Sequence, residues 1–445
     1  MLSMKLNKSA RAILLLLIIF VFRSGIVTGQ DKLVIASEQD AISFAMKTNP
    51  DLSKARLDEL KAASKVSEVY SENLVPTTNL NMIFTRSFKK QVLNIFGETF
   101  EIGSDNSILT QIEITEPIPV LGTPIFSGIR IAEYYQNIQA ENVKRVEADI
   151  KNNVKRAYFA VLLAQSVNEL NVVTQQNAEE NLKVVEGRYR NGVATEFDLL
   201  RARVKLENIL PNVSRSERNV EISRKALAKT MGIDVSENIE VIGQLGFDST
   251  EVMENTTSIA RKITDGNVLV RQLALNKKIN EELVKVDNAN YLPKIFLFGN
   301  WTNSSNENDG TAINGYRFFN TLNAGVGLTW NLNLFRNSFK KEQSVIEVKK
   351  SEEDIRDIKQ TLKLTSESAI IALDDAKQRI VSQRSTVDLA QKGVDLANKS
   401  YIAGVLTQID VLDAELSLYQ SRLGYLQAIY DYQVAKAEIE KLLEK

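Results

Sequence analysis

The sequence of 445 residues contains neither cysteine nor histidine. The missing cysteine excludes disulfides and thiol nucleophiles, and the missing histidine excludes imidazole acid–base chemistry and the common zinc sites. A metal site made only of carboxylates stays open. The formal net charge is −1, so the chain lacks the basic excess of a nucleic-acid-binding protein. We therefore expect no catalytic residues, no cofactor and no nucleic-acid partner.

Long apolar runs are also scarce. After the N-terminal segment, no run reaches the roughly 18 residues that a membrane-spanning helix needs. Near the N-terminus, Ala12 to Phe22 form an apolar run of 11 residues, with basic residues before it and small residues after it. This pattern predicts a cleavable signal peptide over residues 1–29 and hence an exported protein.

One stretch of the chain occurs twice, at 189–202 and at 401–414. A shift of 212 residues superposes the copies and matches their Tyr, Gly-Val, Thr, Asp, Leu and Ala. Gly and Thr are poor residues for a helix interior, and long segments with helical periodicity flank both copies. Each copy therefore predicts the turn of a helical hairpin, with Thr195 and Thr407 capping the returning helices.

The remaining pattern is duplicated as well. The first structural repeat spans 30–232 and the second spans 259–445, with a less regular linker at 233–258 between them. Each repeat is predicted to contain a helix, two strands and a long helical hairpin, the hairpins covering 127–231 and 337–443. Asn49-Pro50 predicts a break in the first helix, and Pro211 predicts a kink in a returning helix.

The predicted strands cover 77–88, 107–116, 294–303 and 320–334. The last alternates strictly, and its apolar face carries a set of candidate lipid-facing residues: Leu322, Val326, Leu328, Trp330 and Leu332. Two-faced strands suit a sandwich or a membrane barrel, and a sandwich needs more than two strands per repeat. Four strands cannot close a barrel, so a membrane-spanning chain must oligomerise, two copies giving eight strands and three copies giving twelve. A soluble coiled-coil protein with two small β-subdomains stays open.

The doubled layout and the two Tyr-x-x-Gly-Val-x-Thr-x-x-Asp turns resemble the TolC-like outer-membrane efflux proteins, over essentially all of residues 31–445. The resemblance implies an α+β membrane protein with internally duplicated coiled-coil hairpins and four transmembrane β-strands per chain. It further implies a homotrimer with a 12-stranded β-barrel in the lipid of a Gram-negative outer membrane, a periplasmic α-helical barrel, and an equatorial band built partly from the linker.

The resemblance also implies a function. Such a protein is the passive exit duct of a tripartite efflux or type I secretion system, joined through a periplasmic adaptor protein to an inner-membrane transporter. The turns form its periplasmic tips, where we expect the adaptor to dock on a set of turn residues: Gly192, Val193, Thr195, Gly404, Val405 and Thr407. For the glycines, the alternative is a purely structural need for Gly in the turn.

A periplasmic gate is implied at the same tips, formed by Tyr401, Asp410, Asp413 and Arg201. Clustered carboxylates in a trimer would attract cations, although Asp410 could simply cap its helix and Tyr401 could be a core residue. Leu406 stands where some members carry a basic gate residue, and Arg201 occupies the place that Asp413 holds in the second copy. We therefore hypothesise that Arg201 pairs with an acidic tip residue.

A soluble periplasmic coiled-coil adaptor or spacer is the alternative function. Adaptors usually carry one helical hairpin within β-rich domains, whereas this sequence predicts two hairpins and little other β-structure.

Overall fold

The computed structural model describes residues 33–119, 123–247 and 256–444. The predicted signal peptide and residues 248–255 of the predicted linker lie outside these ranges. No helix among the described residues is long and apolar enough to cross a membrane.

The elements of the first half begin with a short strand and end with a long helical hairpin. They are β1 (Leu33–Ile35), α1 (Glu38–Thr48), α2 (Pro50–Leu74), β2 (Thr77–Arg86), β3 (Gln91–Ile95), β4 (Glu98–Ile102), β5 (Asn106–Pro117), α3 (Ile125–Arg190) and α4 (Glu196–Met231).

The second half follows the same plan without the extra strands. Its elements are β6 (Ile239–Val241), α5 (Thr256–Gly266), α6 (Val268–Ala289), β7 (Lys294–Glu307), a 3₁₀ turn (Ile313–Gly315), β8 (Phe319–Thr329), α7 (Leu334–Ile402) and α8 (Gln408–Leu442).

The chain divides into two compact units that cut across the sequence repeats. The first comprises Met1–Asn49, Ile150–Ser249 and Leu373–Ala437, and the second comprises Pro50–Asp149, Thr250–Ala372 and Glu438–Lys445. Each unit thus draws on both repeats, because the long helices α3 and α7 contribute residues to both units. The repeats predicted from the sequence are units of duplication, and they differ from the units of packing.

The second unit contains an antiparallel sheet in the order β2-β5-β7-β8. Its strands have 10 to 14 residues, about the length that crosses a bilayer obliquely. The register places one largely apolar face across all four strands. Its members include Leu80, Met82, Ile112, Trp301, Leu322 and Val326. β2 and β8 are the edges of this sheet.

The opposite face of β8 contains two glycines that lie beneath aromatic rings. Gly325 pairs with Phe298 and Gly327 pairs with Phe296. A Cβ atom on Gly327 would overlap the ring of Phe296. The rings therefore occupy the space above the glycines, and a larger residue would displace them.

The prediction of a strand over 320–334 is wrong at its C-terminal end, because β8 ends at Thr329. Thr329 pairs with Lys294, the first residue of β7, and Pro293 before it has no N–H to extend the ladder. The next residues turn instead: the Asn333 amide donates to Asn331 Oδ1 at 3.2 Å. Trp330 and Leu332 therefore lie in the connection to α7 and outside the strand.

A further β-hairpin, β3–β4, lies between the first two predicted strands and was not predicted. Its two-residue turn is Phe96-Gly97, and both residues have positive φ, 52° and 88°. This backbone suits the right-handed twist of a hairpin. Phenylalanine rarely adopts it, so the sequence carried little signal for the turn.

The linker contributes one strand to a small parallel sheet in the first unit. β6 pairs with β1, and Ile35, Ile239 and Val241 are buried. Beside this sheet, Gly243 approaches the side chain of Tyr158 so closely that a Cβ atom would meet its hydroxyl at 2.8 Å.

The first predicted helix breaks at Asn49-Pro50, as expected. α1 ends at Thr48, and the Asn49 side chain donates to the Thr230 carbonyl at 2.9 Å. In the second repeat the first predicted helix is also divided, because Asn267 caps α6 by accepting from the Leu269 amide at 3.0 Å. That break was not predicted. α4 continues through Pro211, and the kink there stays a prediction.

Candidate functional site: the tips of the helical hairpins

The first tip is a tight turn that ends α3 with a left-handed glycine. Gly192 has φ +72°, and its amide donates to the Tyr189 carbonyl at 2.9 Å, while the Val193 amide donates to the Arg188 carbonyl at 2.8 Å. These two bonds form a Schellman motif. No atom lies within 4 Å of a Cβ placed on Gly192, so the positive φ is what requires glycine.

The second tip repeats this backbone. Gly404 has φ +77°, and its amide donates to the Tyr401 carbonyl at 3.0 Å, while the Val405 amide donates to the Ser400 carbonyl at 2.9 Å. The two sequence copies therefore make the same turn, with the same open space around the glycine.

Both returning helices begin with a Thr–Asp cap. In the first copy, the Thr195 amide donates to Asp198 Oδ2 at 3.0 Å, and the Asp198 amide donates to Thr195 Oγ1 at 3.1 Å, which completes a capping box. In the second copy, the Thr407 amide donates to Asp410 Oδ2 at 2.8 Å. The Thr407 hydroxyl also donates to Asp410 Oδ2 at 2.5 Å, and this bond, together with the amide bond, lowers the pKa of the Asp410 carboxyl. Asp410 thus performs the capping role that was the alternative to its gate role.

The tips expose apolar side chains. Val193 is 64% exposed and Val405 is 77% exposed. Beside the first tip, Phe197, Leu200 and Arg203 border a groove of about 320 Å³ at the start of α4. Each tip therefore presents uncovered backbone at a glycine next to a small apolar contact.

A contact that the sequence did not predict joins the two hairpins. The guanidinium of Arg188 lies over the ring of Tyr401, 4.6 Å from its centroid, and Arg188 Nη1 donates to the Ile402 carbonyl at 3.4 Å. Tyr401 is buried and packs with Ala397 and Val411. Burial raises the pKa of the Tyr401 phenol, while Arg188 acts in the opposite sense. The sequence gives one hint of this contact: the position in the second hairpin that corresponds to Arg188 is occupied by Ser400.

The other predicted gate residues are not brought together within one chain. The guanidinium of Arg201 lies 4.2 Å from the ring centroid of Phe197, one turn earlier on the same helix. Within the described chain Arg201 thus contacts an aromatic ring, and its pairing with an acidic tip residue stays a prediction. Asp413 is exposed on α8.

Behind the tips, a cleft of about 370 Å³ opens between α3, α7 and α8. Glu415 lines it, and burial raises the pKa of this carboxyl, opposed in part by Lys205 and by a hydrogen bond from Asn181. Across the cleft, Arg422 donates to Gln391 Oε1 at 2.8 Å. The cleft was not predicted, because it depends on the packing of α3 against the α7–α8 hairpin, which is distant from it in sequence.

The sheet carries the predicted lipid-facing residues on one side. Leu322, Val326 and Leu328 lie on the apolar face of β8 and are exposed. Trp330 lies beyond the strand, where its indole Nε1 donates to the Tyr291 carbonyl at 3.1 Å. A half-exposed indole with its N–H bound to a backbone carbonyl is typical of a membrane interface.

The arrangement matches one known family along most of the chain. A profile of the outer membrane efflux protein family matches residues 41–233 and 261–444. The chain belongs to the outer membrane efflux protein family. The resemblance inferred from the two turns is thereby confirmed.

Two sequence relatives and one solved structure support this assignment. The outer membrane protein TolC of Escherichia coli K12 is 23% identical over 414 residues, which cover 90% of this chain and 80% of TolC. The alkaline protease secretion protein AprF of Pseudomonas aeruginosa is 21% identical over 412 residues, which cover 90% of this chain and 82% of AprF. The Campylobacter jejuni CmeC outer membrane channel superposes with a TM-score of 0.75 at 16% identity, covering 94% of this chain and 90% of CmeC.

As an outer membrane efflux protein, the chain is an efflux channel in the outer membrane of a Gram-negative bacterium. The predicted fold class and location are confirmed. The alternative of a soluble adaptor or spacer is set aside, because the match covers both hairpins and the strands of both repeats.

Proposed function

We propose that three copies of this chain form one export duct. The four-stranded sheet leaves β2 and β8 as edges, and a strand edge inside a bilayer must be paired. Joining β8 of each copy to β2 of the next closes a barrel of twelve strands with its apolar face toward outer-membrane lipid. The same assembly gathers six helical hairpins into a periplasmic barrel. The duct itself is passive, with no catalytic step and no cofactor.

The hairpin tips are the docking sites for a periplasmic adaptor that links the duct to an inner-membrane transporter. The repeated turn carries this proposal: two Schellman glycines, each followed by an exposed valine, occur on the two hairpins of one chain. Bare backbone at Gly192 and Gly404 permits close approach of a partner helix. Val193, Val405 and the Thr-capped helix starts supply the surrounding contacts.

The gate of the duct lies at the same tips. Tyr401 and Arg188 join the two hairpins of one chain, which restrains the second hairpin in the arrangement seen here. Asp410 and Asp413 are exposed on the second hairpin, so a trimer would repeat both carboxylates three times around its axis and attract cations there. Arg201 on the first hairpin adds a basic group to this ring.

A pair of charge insertions tests the docking proposal. The double variant Val193→Asp, Val405→Asp places desolvated carboxylates in the adaptor contact, and we expect it to abolish efflux at normal protein levels in the outer membrane. Val381→Asp is the matched control, since Val381 is 65% exposed on α7 away from the turns. Efflux is measured as drug susceptibility and dye export. Full efflux in the double variant would refute docking at the tips.

The trimer is tested on the purified full chain. We expect it to require detergent for extraction from outer membranes and to have the mass of three chains in the detergent complex. A monomer that stays in solution without detergent would refute the proposed duct.

A further inference from the structure

The β3–β4 hairpin is an isolated two-stranded unit at one end of the sheet. Among the described strands it pairs only within itself, and all ten of its strand residues are exposed. It follows the edge strand β2, at the end of the sheet opposite the helices, since the helices join at the start of β2 and the end of β8. A two-stranded hairpin without packing partners is only marginally stable in water.

One face of this hairpin is apolar. Its register pairs Leu93 with Phe100 and places Ile95 and Ile102 on the same side. Each of these four side chains is between 41% and 48% exposed. The opposite face is more polar, with Val92 accompanied by Asn94, Thr99 and Glu101. The uncovered apolar face indicates a missing packing partner.

The base of the hairpin is fixed to the sheet. Lys90 and Asp105 flank the hairpin and form an ion pair at 3.0 Å. Lys90 Nζ also donates to Asn308 Oδ1 at 2.8 Å, and the Asp309 amide donates to Asp105 Oδ2 at 2.9 Å. These contacts hold the hairpin to the start of the β7–β8 loop (residues 308–318) of its own chain.

The later part of the β7–β8 loop is apolar and exposed. Ile313 is 82% exposed, Phe318 is 52% exposed, and Phe319, the first residue of β8, is 67% exposed. These side chains lie at or just before the start of β8, and the hairpin follows the end of β2 in the chain. All neighbouring strands in this sheet are antiparallel, so its two edge strands β2 and β8 run in opposite directions. When β8 of one copy pairs with β2 of the next, the start of β8 therefore lies beside the end of β2.

Charge also favours contact between the hairpin of one copy and the β7–β8 loop of the next. Glu98 borders the apolar face of the hairpin, and Arg317 precedes Phe318 on the loop. Both residues are exposed, and their opposite charges suit an interface rim.

We propose that the apolar face of the β3–β4 hairpin packs on the β7–β8 loop of the neighbouring copy, so that each subunit clasps the next at the outer end of the barrel. The inference rests on the trimer proposed above and adds a contact surface beyond the paired strand edges. The occupant is a second copy of this chain, because edge pairing brings that loop to the hairpin.

Cysteine cross-linking tests the clasp, and the absence of native cysteine removes background. The double variant Phe100→Cys, Phe318→Cys is oxidised in isolated outer membranes and run on a non-reducing denaturing gel. We expect most of the protein to appear as covalent oligomers, which a reductant converts back to monomers. Val92→Cys, Phe318→Cys is the control, because Val92 lies on the opposite face of the hairpin. We expect this pair to lose nearly all of the oligomer bands.

The outcomes separate the clasp from the trimer. Absent or intramolecular disulfides, cross-links to a different protein, or equal yields from both pairs, in protein that has the trimer mass in detergent, would overturn the clasp and leave the duct intact. A monomer mass would overturn both. A second measurement uses no cysteine: Phe100→Ser should lower the temperature at which the trimer dissociates in detergent, and Val92→Ser should leave it unchanged. Equal behaviour of the two variants would also overturn the clasp.

Discussion

Replacing Arg188 by glutamine removes the contact that joins the two hairpin tips. The guanidinium lies 4.6 Å from the Tyr401 ring centroid, and such a cation–π contact at a partly exposed site is worth about 0.5–1 kcal/mol. The hydrogen bond to the Ile402 carbonyl is long, at 3.4 Å, and adds a few tenths of a kcal/mol. We assign the arrangement seen here to the closed state of the proposed gate, which would therefore lose about 1 kcal/mol per chain.

The proposed trimer multiplies this small effect. Three hairpins that open together lose about 3 kcal/mol of closed-state stabilisation, and each 1.4 kcal/mol changes a ratio of populations about tenfold. We expect Arg188→Gln to raise the ratio of open to closed channels by about two orders of magnitude. The measurement is the open probability of single channels in planar bilayers. Independent hairpins would instead give about a fivefold effect each.

Arg190→Gln is the matched control for Arg188→Gln. Arg190 lies on the same last turn of α3 and is exposed, so its replacement changes the charge of the tip equally while keeping the ring contact. We expect its open probability to match that of the unaltered protein. Equal opening in the two variants would refute the contact as the cause and leave net charge as the explanation.

Three further predictions concern the second hairpin. Gly404→Ala forces alanine to positive φ and should destabilise the fold by about 1–2 kcal/mol per chain, which circular dichroism would show as a lower thermal midpoint. Its control is Gly393→Ala on the open face of helix α7, which should stabilise the fold slightly. Asp410→Asn should lower both stability and cation selectivity, and Asp413→Asn should lower selectivity alone; unchanged selectivity in both variants would refute the carboxylate ring. The raised pKa of Glu415 means that deprotonating this carboxyl destabilises the folded state, so stability falls as pH rises above the ordinary glutamate pKa. Glu415→Gln should reduce this fall. A thermal midpoint with an unaltered pH dependence would contradict the prediction.

The hairpin turns were predictable from sequence because their signals are local. Gly192 and Gly404 are needed for positive φ, and Thr195 and Thr407 for capping, within segments of a few residues. The same locality explains the alternation that located β8. Alternation did not reveal where β8 ends, since that end depends on Pro293, the residue just before the partner strand β7.

The features that the sequence did not predict have different causes. Arg188 lies near Tyr401 only because the two hairpins pack together, and no spacing rule connects residues that far apart in sequence. The contact of Arg201 with Phe197, one turn earlier on its own helix, was also not predicted. The β3–β4 hairpin was missed because its turn uses phenylalanine at a positive φ.

The duplicated turns have the same backbone conformation but different side chains at several positions, which indicates that the two hairpins serve different roles. Positions that build the turn are the same in both copies, whereas Arg188 corresponds to Ser400 and Arg201 corresponds to Asp413. An adaptor that recognises backbone and a valine can therefore engage both tips alike. A gate requires unlike partners, because a basic group on one hairpin must hold an aromatic or acidic group on the other. Exchanging Arg188 and Ser400 between the hairpins should therefore preserve docking and abolish the restraint on opening.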